Sequence, residues 1–150
     1  MEKHLKVSAI KDGTVIDHIP TKALFKVMKI LQLEECLEMI TFGNNLDSKA
    51  MGTKSIIKIA NRFFADEEVN KIALVAPHAK LNTIRDYEVI EKRVVETPRE
   101  IIGIINCFNP KCITNAETIT TRFEVLSNKP ITMKCLYCEK ITNENEMVYS

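Results

Sequence analysis

A chain of 150 residues with 45% hydrophobic and 27% charged side chains has ordinary globular composition, and it has room for one ordinary domain or two small ones. A formal net charge of +1 argues against a surface built to grip nucleic acid, and no apolar run reaches the roughly 18 residues of a membrane span. The opening MEKHLKVSAIKDG breaks its apolar positions with charge, unlike a signal peptide, so a cytoplasmic location is expected and disulfides are a poor default for the five cysteines.

In chain order, His4–Ile10 alternates as a strand, KDG makes a turn, and TVIDHI is β-branched enough for a second strand. Pro20 and Thr21 open a helix with Leu24, Val27, Met28 and Leu31 on one face. EMITFGNNL reads as a short strand entering a turn, and TKSIIKIA as another strand. ADEEVNKIALVAP gives the clearest helix, with Asp66 placed to cap it and Val69, Ile72, Ala73 and Ala76 on its apolar face. AKLNTI and YEVIEKRVV follow as strands around an Arg85-Asp86 turn. Two helices among several strands predict an α+β sandwich, a sheet with helices on one face. The polar, proline-bearing ETPRE marks a boundary, giving domains 1–98 and 99–150.

The second segment predicts short strands in IIGIINC, ETITTRFEVLS, PITMKC and MVYS, with no convincing helix. So short a domain rarely buries enough surface to fold without a staple. Cys107 and Cys112, then 22 residues, then Cys135 and Cys138 supply one. Each short loop aims two thiolates at one point, and two loops complete a tetrahedron, the pattern of a four-cysteine zinc ribbon. Four thiolates leave no open position, so one structural Zn2+ is expected rather than a catalytic one. Cys36 stands apart and reads as a small buried hydrophobe.

Asp17 and His18 adjoin each other in a predicted strand, which sends their side chains to opposite faces and leaves no acid–base dyad. With four glycines and no nucleophile elbow or His–Glu metal motif, a binding or assembly role is favoured over catalysis. Lys54 and Lys58 share one face of a strand, and with Lys92 they could meet phosphates as point charges.

Together VSAIKDGTVIDHIP, ITFGNNL, MGTKSIIKI, ALVAPHAKLNTIRDYEVIEK and the cysteine-bearing tail with KCLYCEK resemble the regulatory subunit of aspartate carbamoyltransferase, nearly end to end. The resemblance implies a ferredoxin-like nucleotide-binding domain followed by a small all-β, rubredoxin-like zinc domain that docks on the catalytic chain. It also implies a non-catalytic role in pyrimidine biosynthesis. Partners would be catalytic chains and a second regulatory chain, in a dodecamer of six catalytic and six regulatory chains, with CTP and UTP inhibiting and ATP activating. The implied effector pocket has Val7, Ala9, Ile10, Lys11, Val15, Asp17 and His18 along two strands. Asp17 and Lys58 hold the ribose, Lys92 with His18 meets the phosphates, and Lys54 adds a second ring of positive charge. Backbone around Ile10 and Tyr87, beside Asn82, Ile84 and Val89, reads the base. Tyr137, Glu139 and Lys140 are the implied interface residues. Ser8 and Lys111 depart from the glutamate and asparagine usual in the family.

The alternative is a zinc-ribbon transcription or nucleic-acid-binding factor, which needs a basic, aromatic-bearing face. Residues 107–140 instead mix Lys111, Arg122, Lys129, Lys134 and Lys140 with Glu117, Glu124 and Glu139.

Overall fold

Apolar residues at two periods, 2 and 3.6, build the first unit. In the computed structural model, which describes residues 9–128 and 130–149, the chain divides into two units between Glu96 and Thr97. The first contains β1 (Gly13–Ile19), a 3-10 turn at Thr21–Ala23 running into α1 (Leu24–Ile30), β2 (Ile40–Ser48) and β3 (Gly52–Ala60). Next come α2 (Asp66–Asn70), continued as a 3-10 turn over Lys71–Leu74, then β4 (Lys80–Arg85) and β5 (Glu88–Val94). The sheet runs β2-β3-β1-β4-β5 with every neighbouring pair antiparallel. This is the βαββαβ ferredoxin-like sandwich with a fifth strand added at one edge. Ile16, Ile57, Ile59 and Leu81 from the sheet are buried with Leu24, Val27, Leu31, Val69, Ile72 and Ala73 from the helical segments. Each such side chain contributes roughly 1.5–3 kcal/mol on burial. Cys36 packs half-buried against this core, as a small hydrophobe would.

Several details differ from the sequence reading. His4–Ser8 of the first expected strand lie outside the described residues, and Ala9 and Ile10 belong to no regular element. The Asn44-Asn45 pair does not end β2. A register shift between Gly43 and Leu46, with Asn45 at φ 58°, absorbs an irregularity and the strand continues to Ser48. The β4–β5 turn is centred on Asp86 and Tyr87, both at positive φ, one residue beyond the expected position. Asp66 does not cap α2. Ala65 holds that position, and the Glu68 carboxylate accepts the Ala65 N–H at 3.2 Å, leaving Asp66 to bind Arg93 at 2.7 Å.

The second unit holds β6 (Glu100–Ile102), β7 (Ile105–Asn106), a single helical turn α3 (Ile113–Ala116), β8 (Arg122–Asn128) and β9 (Ile131–Cys135). β10 (Ile141–Asn143), a 3-10 turn and β11 (Val148–Tyr149) complete it. One sheet runs β10-β9-β8-β6, and β7 pairs with β11 separately. Ile101, Ile105, Phe123 and Met133 are fully buried there. IIGIINC is two strands rather than one, because Gly103 at φ 73° turns the backbone between them. The helical turn α3, directly after Cys112, was not expected from the sequence.

Candidate functional site

Directly opposed residues of antiparallel strands share a face, and in this sheet they make a continuous row. Thr41 opposes Lys58, Lys58 opposes Val15, Val15 opposes Asn82, and Asn82 opposes Lys92. Buried Thr14 and Ile16 flank Val15 on the strand, so the row lies on the side away from the helices. Two lysines and an asparagine from three strands are thereby set in line.

Asp17 and His18 join this face together, contrary to the expectation that they diverge. The β1–β3 register shifts between Ile16 and Ile19, and His18 adopts φ 59°. Core residues Ile16 and Ile19 are thus separated by two residues instead of one. The Asp17 carboxylate accepts the His18 backbone N–H at 2.6 Å and lies 3.6 Å from its Nδ1. That nitrogen is buried and has no hydrogen-bond partner among the described residues. Lys54 Nζ closes the group at 2.9 Å from Asp17 Oδ1. These surroundings are those of an ion pair, not of an activated nucleophile. Lys58 is only 8% exposed, and burial draws its ammonium below the usual lysine range, with Asp17 opposing part of that shift.

Toward the other end of β1, Gly13 opposes Ile84 and Ile84 opposes Val89. The Tyr87 N–H donates to the Lys11 carbonyl at 2.9 Å, and the Asp86 N–H to Asp12 Oδ1 at 3.1 Å. Of the pocket residues expected from the sequence, Ala9, Ile10 and Lys11 lead into β1, and Val7 falls outside the described residues. Thr41 was missed, since nothing in its own segment distinguishes it before the register is known.

In the second unit the Sγ atoms of Cys107, Cys112, Cys135 and Cys138 all lie within 4.8 Å of one another, three of the residues buried and Cys138 half-buried. Cys107 and Cys138 are 3.6 Å apart at sulfur, Cys112 and Cys135 3.8 Å. A tetrahedron with metal–sulfur bonds of about 2.3 Å has edges of about 3.8 Å, so the four residues fit one soft cation. Two of the four thiols are held against ionisation by burial. Burial pushes the Cys107 thiol up to about 12, against a lowering backbone N–H from Asn109, and burial likewise raises Cys135. At Cys138 burial is outweighed by the Lys140 backbone N–H and the Asn109 side chain, which draw it down to about 7. Thr114 and Asn115, which the sequence reading passed over, sit beside these sulfurs. The Thr114 hydroxyl lies 3.1 Å from Cys112 Sγ, and Asn115 Nδ2 donates to the carbonyls of Cys107 at 2.9 Å and Asn109 at 2.7 Å. Tyr137, between the second pair of cysteines, and Glu139 and Lys140, just after it, are exposed, with Leu136 and Ile141 exposed alongside.

Among the described residues no helix is long and apolar enough to cross a membrane. Two family models match the chain. Residues 5–96 match the allosteric domain of the aspartate carbamoyltransferase regulatory chain, and residues 99–148 match its metal binding domain. The chain is similar to the aspartate carbamoyltransferase regulatory chain of Bacteroides fragilis, 57% identical over 91% of this chain and 89% of that one. It is also similar to that of Parabacteroides distasonis, 50% identical over 98% and 96%. The chain from Pyrococcus abyssi is 51% identical over 96% of each.

Proposed function

The chain belongs to the family of aspartate carbamoyltransferase regulatory chains, and from that membership we propose that it binds nucleotide effectors on the first unit and docks on catalytic chains through the second. It is a regulatory and not a catalytic chain. The observation that carries the effector reading is the charged group on the sheet face away from the helices, where Lys54 and buried Lys58 surround Asp17 and Lys92 lies in register with Lys58.

In this reading Asp17 and Lys58 hold a ribose. Lys92 and His18 meet the phosphates, where a phosphate oxygen would supply the partner that His18 Nδ1 lacks among the described residues, and Lys54 adds further positive charge. Asn82, Ile84 and Val89, with backbone near Ile10 and Tyr87, read the base, and Val7, Ala9, Lys11 and Val15 complete the wall. CTP and UTP inhibit and ATP activates. The metal is a single structural Zn2+ on the four cysteines, supported by their soft donor set and tetrahedral spacing. When bound it supplies a rigid cross-link and no chemistry. Tyr137, Glu139 and Lys140 face the catalytic chain, a role that the neighbouring exposed apolar Leu136 and Ile141 support. The working particle is cytoplasmic, with two catalytic trimers joined by three regulatory dimers.

Mechanism is then linkage. A nucleotide alters catalysis at another subunit only by binding two quaternary states with different affinity, and a coupling of about 1–3 kcal/mol suffices. The test is to mix the chain with the catalytic trimer of its own host and measure assembly and the activity response to CTP and ATP. Failure to assemble overturns the reading, and assembly without response removes its allosteric part. The double variant Lys58→Ala with Lys92→Ala is expected to lose nucleotide affinity while metal content and assembly stay unchanged.

A further inference from the structure

Four thiolates around one cation carry more negative charge than the cation balances, so their stability depends on donors aimed at sulfur. The described residues include one buried side-chain hydroxyl at such a place. Thr114 is 9% exposed, and its Oγ1 lies 3.1 Å from Cys112 Sγ. In the metal-free chain either atom can donate. Once Cys112 ligates a cation its proton is gone, and only the hydroxyl can give one to the bond.

The chain around Thr114 is held for this contact. Asn115 uses both hydrogens of Nδ2 on the carbonyls of Cys107 and Asn109, at 2.9 and 2.7 Å. The Asn109 carbonyl also accepts the Cys112 N–H at 3.0 Å, and Asn109 Oδ1 accepts the Lys111 N–H at 3.1 Å. The Asn115 N–H returns to the Cys112 carbonyl at 2.9 Å. The loop bearing the first two ligands is therefore tied to the short helical turn that carries Thr114 and Asn115.

We propose that Thr114 is a positioning residue for the metal, donating a hydrogen bond to the Cys112 thiolate, and that Asn115 holds the first cysteine loop in its ligating shape. This rests on the four-cysteine metal site proposed above. Its consequence is a slower release and tighter hold of the ion than the four sulfurs alone would give.

The test uses the full chain under reductant, loaded with Co2+ for spectroscopy and Zn2+ for competition against a chelator. A hydrogen bond lowers the sulfur lone pair in energy, so losing it moves the thiolate-to-cobalt charge-transfer band to lower energy. Thr114→Val is expected to show that shift and a roughly 10–100-fold weaker hold on zinc. Thr114→Ser, which keeps the hydroxyl, is expected to retain the native band and affinity. Should Thr114→Val fail to fold, Thr114→Ala against Thr114→Ser gives the same comparison without added bulk. Asn115→Ala is expected to speed metal release without shifting the band. An unshifted band and unchanged affinity in the valine or alanine variant overturns the proposal, as does a serine variant no better than valine. If the native chain takes up neither ion, the metal site itself is wrong and the proposal falls with it, an outcome distinct from a defect confined to the variants.

Discussion

At the scale of single residues, the effector role proposed for Lys58 and the stability of the fold pull apart. Burial holds its ammonium below the ordinary 10.5, with Asp17 only partly offsetting the loss of water. The folded chain therefore releases this proton before the unfolded chain does. The cost is fully present at neutral pH, and stability from this group rises as pH climbs from the folded value toward 10.5. Replacing the lysine does not strand Asp17, which keeps Lys54 at 2.9 Å. Lys58→Met is expected to raise the stability of the first unit by on the order of 1 kcal/mol at pH 7 while abolishing nucleotide binding. The gain should shrink as the melts are repeated toward pH 10.5. Denaturant melts of both chains across that range check it, and a less stable methionine variant at neutral pH would contradict it. That Lys54 and Lys58 share a face was legible from their spacing. The burial of Lys58 was not, because it depends on which residues the fold brings over it.

At the scale of the element, β1 carries both the clearest success and the clearest failure of reading from sequence. Its β-branched run and the glycine before it announce a strand, and the alternation of β3 and the helical face of Val69, Ile72 and Ala73 are equally plain. The departure is local. His18 at φ 59° inserts an extra residue between core positions and brings Asp17 and His18 together, where regular strand geometry would part them. No residue type encodes such a bulge, since histidine reaches positive φ only where the surrounding pairing demands it. The same holds for Asn45 in β2 and for the passage of α2 into a tighter turn. Gly13, by contrast, is required by its position. At φ 140° a Cβ would run into the carbonyl oxygen of Ile59 on β3, a backbone group that cannot rotate away. Gly13→Ala is expected to cost roughly 2–5 kcal/mol through strain and overpacking. A melt within experimental error of the native chain would show that the β1–β3 contact yields more easily than this geometry allows.

At the scale of the whole molecule, the two units are held by different physics. The first buries an apolar layer between sheet and helices, legible as two periodicities. The second has a smaller core around Ile101, Ile105, Phe123 and Met133 and a cluster of four cysteines whose pairing in the sequence was plain. The polar ties from Thr114 and Asn115 were not legible, because loop hydrogen bonds follow no spacing rule. A structural zinc supplies on the order of 10–16 kcal/mol in small domains, against the roughly 5–15 kcal/mol of net stability in a typical folded protein. Removing the proposed zinc should therefore unfold the second unit and spare the first. Acid should act in the same direction. In the unit so unfolded the cysteine thiols keep their protons at neutral pH, so binding must expel them. Affinity for the ion then falls steeply as pH is lowered. In hydrogen exchange with increasing chelator, amides of β8 and β9 are expected to lose protection together while those of β1 and β3 keep theirs. The chelator concentration needed should drop sharply between pH 7 and pH 6. Protection of β8 and β9 that survived complete loss of the metal would mean that the apolar core holds this unit alone, and the cation would then be a passenger rather than the staple.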